Sequence, residues 1–118
     1  MSLGSKPETT AVALTSTLTA TLLAAPASNT KRYVKHIRIT NAGAATTLTM
    51  GQHAAAGAPV ATDPGIMAFQ QALAANSPYD IVFGGDGFEM LAGGNPITGG
   101  CAAASGVSAV FESVLVVA

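Results

Sequence analysis

The sequence predicts an all-β fold, an antiparallel β-sandwich or jelly-roll-like domain of seven to eight short strands. Hydrophobic residues make up 49% of the 118 residues, and in several segments they alternate with polar residues at a period of two. Threonine recurs in those segments, and β-branched side chains favour strands over helices. The 13 glycines and 6 prolines interrupt the chain at short intervals, as turns between many short strands require.

The chain length and the first residues predict one domain preceded by a short arm. A chain of 118 residues has the size of a single domain. Residues 1–8 are polar and include Pro7, so we expect a flexible N-terminal arm there and one sandwich domain over residues 9–118. The arm lacks the apolar segment of a signal peptide, and the apolar-leaning stretch at residues 11–25 is too short to span a bilayer.

The first half of the chain contains three segments with the period of a strand. Residues 9–24 alternate and predict a half-buried strand or a bent pair of strands, and residues 25–30 predict a turn. Residues 31–41 are the clearest strand. Residues 45–50 alternate again after a turn at residues 41–43, where Asn and Gly tolerate positive φ. We expect these last two segments to pair as a β-hairpin.

The clearest strand carries most of the positive charge. Four of the five basic residues lie within residues 31–38, whereas five of the six acidic residues lie at or beyond Asp63. Strict alternation divides the strand into two faces, with Tyr33, Ile37 and Ile39 on one and Arg32, His36 and Arg38 on the other. Lys35 then falls on the apolar face and must extend its amine past the core. The basic face is interpreted as a docking patch for an acidic neighbouring protein or as a solvated surface, because nucleic-acid binding would require more cations and aromatic platforms.

The second half of the chain predicts two long loops and several shorter strands. Residues 51–65 have no period and predict a long loop. Residues 66–75 fit either a helix with Asp63 as its N-cap or two short strands, and the local pattern leaves both open. The remaining segments are predicted as strands at 79–83, 88–91 and 107–118, a turn at 84–87 and a second loose loop at 93–106.

The last predicted strand is apolar on both faces near its end. This segment consists of Val114, Leu115, Val116 and Val117. A strand that is apolar on both faces is typically buried on both. We therefore expect the segment to lie between two layers of this chain or between this chain and another.

Charged residues are scarce in this sequence. They make up 9% of the chain, and 5 Lys and Arg against 6 Asp and Glu give a formal net charge of -1, whereas about 25% charged residues is typical. This balance excludes nucleic-acid binding by bulk electrostatics, and the hydrophobic content excludes intrinsic disorder. A surface with so few charges is either covered by uncharged polar groups or covered by other subunits, and we favour the second.

No group of reactive side chains predicts catalysis or metal binding. Cys101 is the single cysteine, so an internal disulfide is excluded, and its Gly and Ala neighbours offer nothing to activate the thiol. His36 and His53 match no zinc spacing, and we expect solvated or hydrogen-bonded imidazoles. Asp86, between glycines, is interpreted as a turn residue rather than a calcium ligand. We expect no catalytic residue, no metal site and no cofactor.

Several short motifs resemble those of small virion proteins of tailed bacteriophages. Residues 33–43 (YVKHIRITNAG) and 45–50 (ATTLTM) are similar to a strand, a small polar turn and a following strand in those proteins. Residues 84–90 (GGDGFEM) resemble a turn and strand of the same proteins, and the motifs together span roughly residues 30–117. The resemblance implies an all-β sandwich that assembles in a virion as a decoration (cement), fibre or tail-associated subunit. It also implies that residues 66–75 are extended.

Two functional hypotheses follow from these observations. The first is a non-enzymatic bacteriophage structural protein, a capsid decoration or head- or tail-associated subunit that is assembled in the host cytoplasm and located in the virion. Its partners would be further copies of itself and other virion proteins such as capsid or tail subunits, with no nucleic acid, membrane or small-molecule substrate. The alternative is a carbohydrate- or receptor-binding module of a tail fibre, which the absence of Trp disfavours. The residues expected to make the contacts are Arg32, His36, Arg38, Val114, Leu115, Val116 and Val117.

Overall fold

The computed structural model describes residues 5–103 and 106–117 and contains nine strands within them. The strands are β1 (Lys6–Ala13), β2 (Thr21–Leu23), β3 (Thr30–Asn41), β4 (Thr46–Gln52), β5 (Gly65–Leu73), β6 (Ser77–Val82), β7 (Phe88–Leu91), β8 (Ile97–Cys101) and β9 (Val107–Val117). None of the described residues is helical, and no helix long and apolar enough to cross a membrane is found among them.

The strands form two antiparallel sheets. Sheet I has the order β1-β9-β3-β6, and β7 pairs with β3 next to β6. Sheet II has the order β2-β8-β4-β5. When β6 and β7 are counted as one interrupted strand, this is the strand order of an eight-stranded jelly roll. The predicted all-β sandwich is therefore confirmed.

The core lies between the two sheets. It contains the side chains of Ile37, Ile39 and Phe111 from sheet I and those of Leu48 and Met50 from sheet II, all fully buried. Each alternates with more exposed neighbours or with residues that face away from the core, as the period of a strand requires. The molecule is elongated, 47 × 25 × 21 Å, because β3 and β9 run along its length.

The predicted N-terminal arm is corrected by the structure. Lys6, Pro7 and Glu8 already belong to β1, which registers with β9 from the pair Lys6–Leu115 to the pair Ala13–Ser108. The first four residues of the predicted arm lie outside the described residues. The alternation predicted over residues 9–24 continues as a strand only to Ala13 and resumes in β2.

The predicted hairpin of residues 31–41 and 45–50 is wrong, because the two strands belong to different sheets. β3 pairs with β9, β6 and β7, whereas β4 pairs with β5 and β8. The buried Asn41 side chain stabilises the crossing by donating from Nδ2 to Ala44 O (2.9 Å) and Ala74 O (3.1 Å). Alternation identified both strands correctly, but it carries no information about their partners.

The open question over residues 66–75 is resolved in favour of extended structure. β5 is one strand whose register with β4 shifts twice, and at one of these bulges Gln70 has a φ of 50° and donates its N–H to Thr49 Oγ1 (3.1 Å). Asp63 caps a turn rather than a helix, since its Oδ2 accepts from Val60 N at 2.8 Å. The predicted loop at 93–106 is also corrected, because its Gly-rich centre forms β8.

A bulge in β3 overturns the predicted faces of this strand. Val34 registers with Ser113 and His36 with Glu112, so that Lys35 is an extra residue. Before the bulge the even-numbered residues face the core, and after it the odd-numbered ones do, because one extra residue shifts the alternation. Arg32 therefore shares the buried inner face with Ile37, and Tyr33 shares the outer face with His36, the reverse of the expectation for both residues.

Candidate functional site

The candidate site is the outer face of sheet I, the side directed away from the core. All five of its strands contribute, and the register brings residues distant in sequence into rows across the sheet. One row contains Pro7, Val114, Tyr33 and Glu89, from β1, β9, β3 and β7 respectively. A second row contains Val116, Lys31 and Leu91. We call the uncharged members of these two rows, Pro7, Tyr33, Leu91, Val114 and Val116, the apolar end of the outer face.

A shallow depression of about 490 Å³ opens at the apolar end. Its lining consists of Ser5, Tyr33, Lys35, Asp86, Val114 and Val116. The Lys35 ammonium donates to the backbone oxygen of Asp86 at 2.6 Å, so the extra residue of the β3 bulge is tied to the turn between β6 and β7. Two valines, an aromatic ring and one fixed cation therefore surround the same opening.

The β3 bulge and the turn at residues 84–87 fit closely together. Phe83 donates its backbone N–H to Lys35 O at 3.1 Å, where β6 ends. Gly87 has a φ of 100°, and a Cβ at this position would lie 2.5 Å from Val34 O. Only glycine satisfies both conditions. Asp86 lies in a turn, as predicted, and the backbone of this turn positions it at the edge of the depression that it lines.

A charged cluster, formed by the carboxylates of Asp80, Glu89 and Glu112 and the cations of Lys31 and Arg38 around the His36 imidazole, lies next to the apolar end. His36 Nε2 is 3.0 Å from Asp80 Oδ1, and His36 Nδ1 is 3.5 Å from Glu112 Oε2. Arg38 Nε is 3.5 Å from Asp80 Oδ1, and Lys31 Nζ is 3.7 Å from Glu89 Oε2. Each of these solvated pairs contributes little stability, about 0–1 kcal/mol. Their charges are therefore available to orient a partner at small cost to the fold.

The Tyr33 hydroxyl connects the apolar end to the charged cluster. It donates to Glu89 Oε2 at 3.0 Å. This hydrogen bond, followed by desolvation and by the negative charges of Glu89 and Asp86, raises the pKa of Tyr33 above its ordinary value. The hydroxyl thus stays protonated over a wider pH range, and the ring is held against the depression.

Arg32 faces the inner side of sheet I, contrary to the sequence-based expectation. Its side chain is 10% exposed, and Nη1 donates to Glu8 Oε1 at 2.6 Å and to Ser113 Oγ at 2.9 Å. Among the described residues, Nε has no hydrogen-bond partner. This arginine joins β1, β3 and β9 from the inside, and it is not part of the exposed basic face in which it was predicted.

The predicted apolar segment of β9 is divided between the two faces. Val114 and Val116 belong to the outer face, whereas Leu115 registers with Arg32 on the inner side. Val114, Leu115 and Val116 are half-buried and Val117 is 60% exposed. The segment is therefore not buried between two layers of this chain, the first of the two predicted possibilities, whereas its burial against another chain stays a prediction.

Of the seven residues expected to make contacts, four lie together on the outer face of sheet I. These are His36, Arg38, Val114 and Val116. Sequence reasoning missed Tyr33, Lys35 and Pro7. No local signal marks the bulge that turns Tyr33 outward, and the polar composition around Pro7 suggested an arm.

The other histidine and the cysteine serve the fold of sheet II. His53 Nδ1 lies 2.8 Å from Asp63 Oδ2 in the loop between β4 and β5. The hydrogen bond from Val60 N, followed by that from His53, lowers the pKa of Asp63, against an opposing contribution from desolvation. Burial raises the pKa of the Cys101 thiol, which disfavours the reactive thiolate.

In the part of the chain that the structure describes, no group of three or more His, Cys, Asp or Glu side chains is arranged so that it could hold a metal ion. Comparisons of the chain with protein-family models, with curated proteins and with solved structures found no match.

Proposed function

We propose that this chain is a structural subunit of a tailed-bacteriophage virion, a capsid decoration or a head- or tail-associated protein that acts by protein–protein contacts and not by catalysis. The observation that carries the proposal is the outer face of sheet I. No segment within residues 5–103 and 106–117 covers this face, which is apolar at one end and charged in the middle. Burial of such a face against another protein is the mechanism by which the subunit would work.

The apolar end has the composition of an interface core. Val114, Val116 and Tyr33 form a contiguous lining around the depression, and Leu91 beside them is 49% exposed. Interface cores are depleted in charge and enriched in aromatic and apolar side chains. Contiguous exposed apolar patches on soluble proteins commonly mark interaction sites.

The charged cluster supplies orientation. Arg38 is 62% exposed, Asp80 45% and Glu112 60%, with both signs represented within a few ångströms. Complementary charges at the rim of an interface set the register and speed of association more than its affinity. A partner with the opposite arrangement of charges would therefore dock in one orientation.

The fold and the short motifs agree with this role. Double-sheet jelly rolls occur in viral capsid and lectin domains. The fold alone does not determine function, and the motifs of residues 33–43 and 84–90 add the likeness to phage virion proteins. A decoration protein presents many copies to a lattice, so that individually weak contacts sum to stable attachment.

The test is binding to virions produced by the genome that encodes this chain. Mass spectrometry of purified particles should detect the protein, and the recombinant protein should co-sediment with particles that lack it. Val116→Asp should lower the bound fraction at least about tenfold, since it places a charge in a desolvated contact. Val60→Asp is the matched control, because Val60 is 46% exposed in the loop that covers sheet II.

Folding and binding are separated by a second variant. If Val116→Asp does not fold, Val116→Thr retains the shape and introduces only a hydroxyl, and it should still weaken binding while thermal unfolding is unchanged. Binding that survives both variants would remove the apolar end from the contact. A protein that is neither present in particles nor bound by them would overturn the proposal.

A carbohydrate-binding module is the second candidate, and the depression favours it. Tyr33 supplies an aromatic ring, while Lys35 and Asp86 supply polar groups beside it. A glycan array followed by calorimetry would test this function. Binding of a glycan that Tyr33→Ala abolishes and Tyr79→Phe leaves intact would establish it in place of the structural role.

A further inference from the structure

The outer edge of β1 is an unpaired strand edge whose hydrogen-bonding groups can be assigned. Within residues 5–103 and 106–117, β1 pairs only with β9. Leu14 N donates to Val107 O at 2.9 Å, one step beyond the register pair Ala13–Ser108. Hydrogen-bonded and non-hydrogen-bonded pairs alternate in an antiparallel ladder. The backbone N–H and C=O groups of the even-numbered residues of β1 therefore point toward β9, and those of the odd-numbered residues point toward the free edge of the sheet. Pro7 fits this assignment, since proline is tolerated where no N–H is needed.

The outward groups of β1 form an uninterrupted row. They belong to Thr9, Ala11 and Ala13, which are all exposed. Their register with β9 contains no bulge, and the segment from Thr9 to Ala13 has no charged residue and no proline. A flat, uncharged edge of this kind is a ready template for another strand.

The other sheet edges carry features that oppose pairing. The edge of β5 is broken by the bulge at Gln70. The opposite edge of sheet I is divided between β6 and β7 by the turn at residues 84–87, and β6 contains Pro78. β2 is only three residues long. Short strands, bulges and prolines are the devices by which proteins protect their edges, and β1 lacks them beyond Glu8.

We propose that a second copy of this chain adds its own β1 to this edge. The two strands run antiparallel about a two-fold axis at Ala11, so that Thr9 of each copy lies opposite Ala13 of the other. Thr9, Ala11 and Ala13 then each donate one backbone hydrogen bond across the axis and accept one. Sheet I becomes continuous through both copies.

The identity of the occupant follows from the self-complementarity of this segment. Under the two-fold axis, even-numbered residues of one copy lie opposite even-numbered residues of the other. The half-buried Thr10 of each copy therefore lies opposite Val12 of the other copy on the inner side of the sheet. Lys6 and Glu8 lie beyond the paired residues, so no like charges are opposed. The paired area is small, and we expect weak association in solution that strengthens when many copies are held together. The inference concerns this chain alone and does not depend on the virion proposal.

The test compares two substitutions of one residue. Ala11→Pro removes the outward N–H at the axis and leaves the ladder to β9 intact, whereas Ala11→Val keeps the N–H. Sedimentation equilibrium up to about 1 mM, the range of weak small interfaces, should show self-association of the wild type and of Ala11→Val. Ala11→Pro should raise the dissociation constant at least about tenfold, because it removes the two bonds at the axis.

A cysteine placed at the axis tests the register. Ala11→Cys should form a disulfide-linked dimer under mild oxidation, whereas Ser108→Cys, exposed on β9, should not. Thermal unfolding of each variant shows that it is folded. A wild type that stays monomeric throughout the range, or a dimer that Ala11→Pro does not weaken, would overturn the proposal. Capture of an extended peptide by monomeric protein would indicate that the edge serves another partner.

Discussion

The outer faces of the two sheets differ in what covers them. All five residues of β8, at the centre of sheet II, are buried, which means that both faces of this strand are covered. β9, at the centre of sheet I, alternates between buried and more exposed residues from Val107 to Ser113, so only its inner face is covered. The core covers the inner face of both strands, so β8 and β9 differ in what covers their outer faces.

Two segments of the chain itself cover sheet II. The segment between β1 and β2 lies along β8, where Cys101 N donates to Thr15 O at 2.9 Å and Gly99 N donates to Ala20 O at 3.0 Å. The loop between β4 and β5 reaches the same strand, since Thr98 Oγ1 donates to Gly57 O at 2.9 Å. Sheet I has no corresponding cover among the described residues.

Two segments of the chain therefore complete the outer face of sheet II, and no described segment does so for sheet I. The outer face of sheet I keeps valines, a tyrosine and paired charges in contact with solvent. This asymmetry is what a subunit needs if one face is to be covered by another molecule.

Gly100→Ala is expected to have the largest effect, because the cover of sheet II lies directly on this glycine. A Cβ there would lie 2.5 Å from Thr15 O and 2.9 Å from Thr17 O, both backbone atoms. We expect a loss of more than about 2 kcal/mol in the free energy of unfolding, measured by denaturant titration. Gly84→Ala is the matched control, since an added Cβ there meets nothing within 4 Å. Equal stability of the two variants would show that residues 15–17 do not pack against β8.

Glu8→Ala and Glu112→Ala together compare the inner and outer faces of sheet I. Glu8→Ala would leave the Arg32 guanidinium, which is 10% exposed, with Ser113 as its remaining side-chain partner. A buried charge that loses its partner destabilises a protein, and we expect about 1–3 kcal/mol. Glu112→Ala removes an outer-face carboxylate that is 60% exposed and 3.5 Å from His36. It should cost under about 0.5 kcal/mol in the same denaturant titration, and a larger loss than that of Glu8→Ala would contradict the assignment of faces.

The fold class could be predicted from sequence because alternation and turn residues are local properties. The pattern located β3, β4, β7 and β9, and the all-β sandwich followed. The sheet assignment could not be predicted, since pairing depends on contacts between distant segments. β8 was missed for a related reason. Its Gly-Gly centre is unfavourable for an isolated strand, and it is extended here because residues 15–20 pack against it.

On β3, the candidate site could be predicted only on one side of the bulge. His36 and Arg38, after the bulge, were placed correctly with respect to Ile37 and Ile39. Arg32 and Tyr33, before it, were inverted, because a single extra residue reverses the parity of everything that precedes it. Val114 and Val116 were found because their apolar character does not depend on the register.

Acid should loosen the cover of sheet II before the rest of the fold. The pKa of Asp63 is lowered in the folded chain, first by the hydrogen bond from Val60 N. A lowered folded pKa stabilises the fold above the ordinary aspartate pKa, and this contribution is lost as the pH falls through the folded value. The protection factors of the Val60 and Gly57 amides, obtained from hydrogen exchange followed by NMR and corrected for the intrinsic exchange rate at each pH, should therefore fall at strongly acidic pH. Asp63→Asn should reduce this pH dependence, and an unchanged profile in the variant would refute the role of the carboxylate.

The smallest expected effect concerns Tyr33 on the bare face. Its pKa is raised mainly by the hydrogen bond to Glu89, so the protonated hydroxyl stabilises the fold below the ordinary tyrosine pKa, and this contribution is lost as the pH rises through the folded value. In a Tyr79→Phe background, absorbance titration reports Tyr33 alone, and Glu89→Gln should lower its midpoint, whereas Asp63→Asn should not. Desolvation also raises this pKa, so covering the apolar end by a partner should raise the midpoint further. A midpoint that Glu89→Gln leaves unchanged would contradict this hydrogen bond as the main cause of the raised pKa.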